Sequence, residues 1–239
     1  MNARVRMGRW KMWLAIGGAA VAVSLVGGPY FYIHFIEGSA PAPLTLATPS
    51  ATSSAARTTS SGQATGASDG TWKVSSDSVV GYRVKEVLFG QSNVAVGRTN
   101  SITGSMIVSG TTVTAATFTV DMTTVSSDQS RRDGQFNGRI METSTYPSAT
   151  FTLTQPLKLG SIPAQGAKQT YQATGNLTLH GLTKKVTFKV TGLYTGSTAQ
   201  VAGSIPITFA DWGIPNPSFG PVTTEDHGVL EFALNFAPA

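Results

Sequence analysis

From Trp72 onward, apolar and polar residues alternate with a period of two over short runs, and the runs are rich in Thr, Val, Phe and Ile. Phe118, Val120 and Met122 alternate with Thr117, Thr119 and Asp121, and Phe151 and Leu153 alternate with Thr150, Thr152 and Thr154. The same rhythm recurs in Leu177/Leu179, Val186/Phe188/Val190, Ile205/Ile207/Phe209 and Leu230/Phe232/Leu234/Phe236. With further strands over 72–88 and 98–109, and the Phe118 run extended to 113–125, the pattern predicts eight strands with one apolar face. Ser109-Gly110, His180-Gly181 and Thr195-Gly196 supply hairpin turns, so neighbouring strands are expected to be antiparallel.

The long interruption at 126–147 reads as one short helix between strands 3 and 4. Ser127 or Asp128 is the expected cap, and the helix runs through Arg131, Arg132 and Phe136 to about Ile140 before Tyr146-Pro147 restores an extended chain. One short helix cannot cover eight strands, so the apolar face is best buried by closing the sheet on itself. The expected fold is all-β, an eight-stranded antiparallel barrel. A barrel of this size is either filled by its own side chains or wide enough for one small ligand. Periodicity alone leaves both readings open.

Ahead of the barrel the pattern changes twice. Residues 1–11 carry Arg4, Arg6, Arg9 and Lys11, and residues 12–36 are almost free of charge. That second length suits a helix crossing a bilayer core of about 30 Å at about 1.5 Å per residue. Trp10 and Trp13 at one end and Tyr30, Phe31, Tyr32 and Phe35 at the other fit the two membrane interfaces, and the basic side is expected in the cytoplasm. The apolar stretch is longer than the core of a cleaved signal, so a retained single-pass anchor with the C-terminal domain outside is the expectation. Residues 37–70 are dominated by Ser, Thr, Ala, Pro and Gly and read as a flexible linker to a barrel domain over 71–239.

Charge then narrows the partners. Residues 1–71 hold five Lys/Arg against Glu37 and Asp69, net +3 of the chain's +5, so the barrel domain is close to neutral. Nucleic acid is therefore not an expected partner. The chain has no cysteine, which excludes disulfides, thiolate metal sites and cysteine nucleophiles together. His34, His180 and His227 are too scattered for a metal site, no Gly-x-Ser-x-Gly elbow is present, and neither a cofactor nor an enzymatic role is expected.

Several residues carry a resemblance. Trp72, Asp77-Ser78, Gly104, Arg132-Asp133, Tyr146-Pro147 and Phe151 precede the run Gly175-Asn176-Leu177-Thr178-Leu179-His180-Gly181-Leu182-Thr183-Lys184. Asp211-Trp212-Gly213-Ile214 follows ahead of the last strand. In this order and spacing, over 72–237, they resemble the YceI family of lipocalin-like, polyisoprenoid-binding barrels. The resemblance implies a hollow barrel holding an isoprenoid-type lipid, with an apolar tunnel the principal requirement.

The expected tunnel wall is Tyr82, Val84, Phe118, Val120, Met122, Phe151, Leu153, Leu177, Leu179, Phe188, Ile207, Phe209, Phe232 and Leu234. Glu86 shares strand parity with Tyr82 and Val84, which would point it inward to meet Arg98 or a lipid head group, while a strand end shifted by a bulge would turn it to solvent; parity leaves both open. Asn216-Pro217-Ser218-Phe219-Gly220-Pro221, which the simplest family members lack, reads as a loop at the barrel mouth. The competing functions are a scaffold with a filled core and an enzyme using Glu86 or His180 on an isoprenoid lipid.

Overall fold

The computed structural model describes residues 40–46, 69–88, 90–161 and 163–239. The basic segment 1–11, the expected membrane helix 12–36 and residues 47–68 lie outside them. No helix among the described residues is long and apolar enough to cross a membrane.

Among the described residues, thirteen strands form one sheet. They are β1 Gly70–Val74, β2 Val79–Leu88, β3 Gln91–Thr99, β4 Ile102–Ser109, β5 Thr112–Asp121, β6 Ser126–Ser127 and β7 Ser148–Leu153, then β8 Leu157–Lys158, β9 Lys168–Leu179, β10 Leu182–Tyr194, β11 Ala199–Thr208, β12 Val222–Thr224 and β13 His227–Pro238. β1 and β2 lie end to end along β13, pairing Val74 with Phe236 and Val79 with Ala233. β4 and β3 continue beside them in the same way. The long strands therefore make eight antiparallel staves, closed where β1 and β2 meet β13, and β6, β8 and β12 are short additions to β3, β5 and β2. Closure removes the unpaired edges that an open sheet would expose.

The first expected strand, 72–88, is interrupted at Ser75–Ser78. Ser75 N donates to Asn235 O at 2.8 Å, and the fully buried Ser78 hydroxyl accepts from Asn235 N at 2.9 Å. Side chains here replace ladder bonds, which an alternation of apolar residues does not report. The second stave begins at Gln91 rather than 98, and the third strand ends at Asp121, where Met122–Thr124 turns into a 3-10 helix. Phe209 likewise belongs to the 3-10 turn Phe209–Trp212 rather than to β11.

The His180-Gly181 turn stands as expected, whereas the first hairpin turns at Gly110-Thr111 with Ser109 paired to Thr112, and the third spans 195–198. Leu179 pairs with Leu182 across His180 and Gly181, whose φ values of 49° and 74° suit the tight turn that twisted strands prefer. A Cβ on Gly181 would fall 2.5 Å from the Tyr146 ring, so the position has no room for a side chain.

The helix α1, Ser130–Gln135, sits between the third and fourth staves and is followed by a π-wound turn, Phe136–Ile140. Neither Ser127 nor Asp128 caps it; the N-cap is Gln129, with no side-chain cap bond. Instead, the Asp133 carboxylate reaches back and accepts from Ser127 N at 2.8 Å and Ser127 Oγ at 2.7 Å.

One part of the expected free linker is docked. Residues 40–46 lie along the outer face of the barrel, where Arg83 Nη2 donates to Pro41 O at 2.7 Å and Arg98 Nη2 donates to Ala42 O. Leu44 N donates to Glu231 Oε2 at 3.3 Å, and Leu46 is buried with Leu193 and Ala202. Glu231 is itself buried and salt-bridged to Arg83 at 3.3 Å and Arg98 at 3.0 Å. A carboxylate taken out of water needs such partners, and here both are supplied by neighbouring strands.

Candidate functional site

The barrel encloses a cavity of about 900 Å³ running along its axis. That is near the upper end of ordinary small-molecule pockets. Its wall is apolar almost throughout, drawn from the inward residues of every stave.

The barrel stays hollow because of how its aromatic rings are seated. Tyr82 lies over Gly97, Phe118 over Gly104, Phe151 over Gly175 and Phe232 over Gly203; a Cβ on any of these glycines would fall within 3 Å of the facing ring. Each ring thus occupies the space a neighbouring side chain would take and lies against the wall, a pairing of aromatics with strand glycines that recurs in barrels. Phe188 joins Phe151 and Phe232 edge to face, at centroid separations of 5.3 and 5.9 Å.

All fourteen apolar residues expected in the tunnel wall line this cavity: Tyr82, Val84, Phe118, Val120, Met122, Phe151, Leu153, Leu177, Leu179, Phe188, Ile207, Phe209, Phe232 and Leu234. Glu86 lines it too. Arg98 does not; the strand register puts it beside Gly81, on the outer face with Glu231 and the docked segment. Glu86 instead accepts from Asn93 Nδ2 at 2.9 Å and pairs with Arg132 Nη2 at 3.2 Å. The inward reading of parity holds for Glu86, but its cation comes from α1, which strand register cannot reach.

Charged lining is concentrated at one end of the cavity, hereafter the helix end. There Glu86, Gln129, Arg131, Arg132, Gln135 and Thr224 gather around α1 and the tip of β2. Arg132 also pairs with Asp128, and the Tyr82 ring stacks on Phe136 with centroids 5.1 Å apart. Burial pushes the Tyr82 phenol well above the ordinary tyrosine range, against the opposing pull of Arg132. The Pro/Gly-rich loop expected at the mouth closes over this end: Pro217, Phe219 and Pro221 line the cavity, and Arg139 Nη2 holds Pro217 O at 3.0 Å. Sequence reasoning did not assign Arg131, Arg132 or Phe136 to the site, although the helix carrying them was legible.

Farther along the cavity, Tyr171 contributes a buried hydroxyl with no hydrogen-bond partner among the described residues, and burial raises its phenol as well. His180 is not in the wall. It packs edge-on against Tyr146, with centroids 4.7 Å apart, and its Nδ1 meets Trp212 O at 3.2 Å. Glu86 and His180 thus have separate sets of partners and form no acid–base pair. Among the described residues, no group of three or more His, Asp or Glu is arranged to hold a metal ion.

The model of the YceI-like domain family matches residues 72–236. No curated protein matches the sequence. Among solved structures, a polyisoprenoid-binding domain from Saccharophagus degradans, implicated in plant cell wall breakdown, superposes with a TM-score of 0.58 at 17% identity, covering 70% of this chain and 98% of that one. BcnA from Burkholderia cenocepacia is 23% identical over 64% of this chain and 95% of its own, with a TM-score of 0.49. The first of these likenesses supports the barrel fold.

Proposed function

This chain belongs to the YceI-like domain family, and on that premise we propose that its barrel binds one long apolar lipid, of the polyisoprenoid or isoprenoid quinone type, for sequestration or transport. The observation that carries the reading is the cavity: about 900 Å³, walled largely by apolar side chains along its length, with charged groups concentrated around Glu86 and Arg132. Such a space suits a molecule with a long featureless tail and one small polar end. Burial of the tail contributes roughly 0.8 kcal/mol per methylene-sized group before the costs of association. The Saccharophagus degradans domain, which shares the fold, is described as polyisoprenoid-binding.

Residues 12–36 are proposed to hold the protein in the cytoplasmic membrane as a single-pass anchor, with residues 1–11 inside and the barrel outside. The basic, then apolar, then aromatic-flanked order supports this orientation. The role proposed for the barrel is binding without chemistry on the lipid; the ion-paired Glu86 and the separately held His180 favour that over acid–base catalysis.

The test is mass spectrometry of organic extracts from the full-length protein purified in mild detergent, beside a Phe151→Trp/Phe188→Trp variant that narrows the cavity. A near-stoichiometric isoprenoid in the parent and little in the variant is the expected result. No bound lipid in either, even after incubation with membrane extract, would favour a scaffold role instead.

A further inference from the structure

We propose that the helix end of the barrel is a membrane-contacting surface, turned toward the bilayer by the docked segment Ala40–Leu46. The proposal rests on the reading of residues 12–36 as a membrane anchor and adds to it which end of the cavity meets the lipid.

The direction of the docked segment carries the argument. Proceeding from Pro41 to Leu46, its partners descend the barrel. Pro41 is held by Arg83, which is paired with Val229 near the start of β13; Ala42 and Leu44 are held at the level of Glu231; and Leu46 is buried at the level of Ala202, which pairs with Ala233. β13 begins at the helix end and finishes at the opposite end, where Trp72 pairs with Pro238. The N-terminal end of the docked segment therefore points toward the helix end. Only residues 37–39 separate Ala40 from the apolar segment, a reach of at most about 14 Å. A barrel leashed so briefly presents its helix end to the membrane. Residues 47–68 then connect two points on the barrel, Leu46 and Asp69, whose carboxylate accepts from Gly110 N at 2.7 Å, and set no distance between barrel and bilayer.

A second observation agrees. Among the described residues, the large apolar side chains left exposed are Val87, Ile107, Leu182 and Phe219. Three of them stand at the helix end: Val87 at the tip of β2, Leu182 beside the His180-Gly181 turn and Phe219 on the rim loop. Phe219 is 52% exposed, and the Arg139 guanidinium lies 5.8 Å from its ring centroid. An aromatic ring beside a cation whose stem is apolar is suited to the headgroup boundary, where rings insert and charges stay in water. This is also the charged end of the cavity, so a lipid leaving or entering there crosses little open water.

The chain has no native cysteine, so single-cysteine labels are clean. Full-length Ser92→Cys, at the exposed helix-end hairpin, and Ser197→Cys, at the opposite turn, are labelled with a fluorophore and reconstituted into phosphatidylcholine vesicles containing nitroxide headgroup-labelled lipid. Flotation measures anchoring and quenching measures proximity. The expected result is co-flotation of both, several-fold stronger quenching at Ser92→Cys, and loss of that difference when Leu44→Pro/Leu46→Ser frees the segment without touching the barrel. Protein that floats with equal or reversed quenching overturns the surface while leaving the anchor standing. Protein that does not float removes the anchor and the surface with it.

Discussion

Arg132 Nη2 lies 3.2 Å from Glu86 Oε1, joining α1 to the tip of β2 across the charged end of the cavity. Both side chains are largely buried, at 16% and 7% exposure. A pair taken out of water in this way contributes little relative to an apolar replacement of both, but breaking it leaves one charge without its ion partner. Arg132→Met is therefore expected to destabilise the barrel by about 3 kcal/mol, lowering the melting midpoint by roughly 10 °C. Glu86→Gln, which keeps an oxygen toward Asn93 and Arg132, should cost less. Thermal melts of both variants check the order.

Gly97 is the cleanest test of how the cavity is kept open. A Cβ there would fall 2.3 Å from Tyr82 Cε1, and the nearest atoms are all of that ring, so Gly97→Ala must drive the ring off the wall. Overpacking of this kind costs about 1–3 kcal/mol. The ring can move only toward the lumen or toward Phe136, so the expected outcome is a lower melting midpoint together with reduced occupancy by extracted isoprenoid. Gly90→Ala, where nothing lies within 4 Å of the new methyl, is a control for backbone strain alone, since its φ is 80°.

What the chain's pattern revealed divides along physical lines. Inward parity identified the wall because alternation in a strand is a local property: Phe118, Phe151, Phe188 and Phe232 all face the lumen. The interruption at Ser75–Ser78 was not legible, since it is built from hydrogen bonds to Asn235, which is distant in sequence. The partner of Glu86 was missed for a related reason: Arg132 arrives from a helix, while Arg98, on the adjacent strand, pairs with Gly81 and turns outward. Hollowness depends on glycines standing opposite aromatics in neighbouring strands, a relation that exists only once the register is known. The docked segment was hidden by composition, because Ala40–Leu46 reads as linker until Arg83, Arg98 and Glu231 are seen to hold it.

Tyr82 sets an alkaline limit on stability. Burial raises its phenol above the ordinary value near 10, so the native state keeps a proton that the unfolded chain releases. Its contribution to stability is full below pH 10 and declines as pH rises beyond it, with a slope approaching about 1.4 kcal/mol per pH unit. Melts recorded from pH 8 to 11 should fall more steeply for the parent than for Tyr82→Phe, which has no proton to lose. Parallel curves would mean that the ring is more open to solvent than its stacking on Phe136 indicates.

Tyr171 offers the opposite case, a hydroxyl whose removal should help. It is buried without a hydrogen-bond partner among the described residues, whereas the Tyr194 hydroxyl donates to Gly196 O at 2.6 Å. An unsatisfied buried hydroxyl costs about 1–3 kcal/mol, while a satisfied one contributes about 1 kcal/mol or less where solvent can replace it. In lipid-free protein Tyr171→Phe is expected to melt at or above the parent, and Tyr194→Phe slightly below it. The same pair of variants then reads the ligand. Should the extracted lipid carry an oxygen that accepts from Tyr171, the phenylalanine variant will gain stability when empty and lose affinity when loaded. A lipid that presents only tail at this depth will show the first effect without the second, placing its polar group at the Glu86 and Arg132 end.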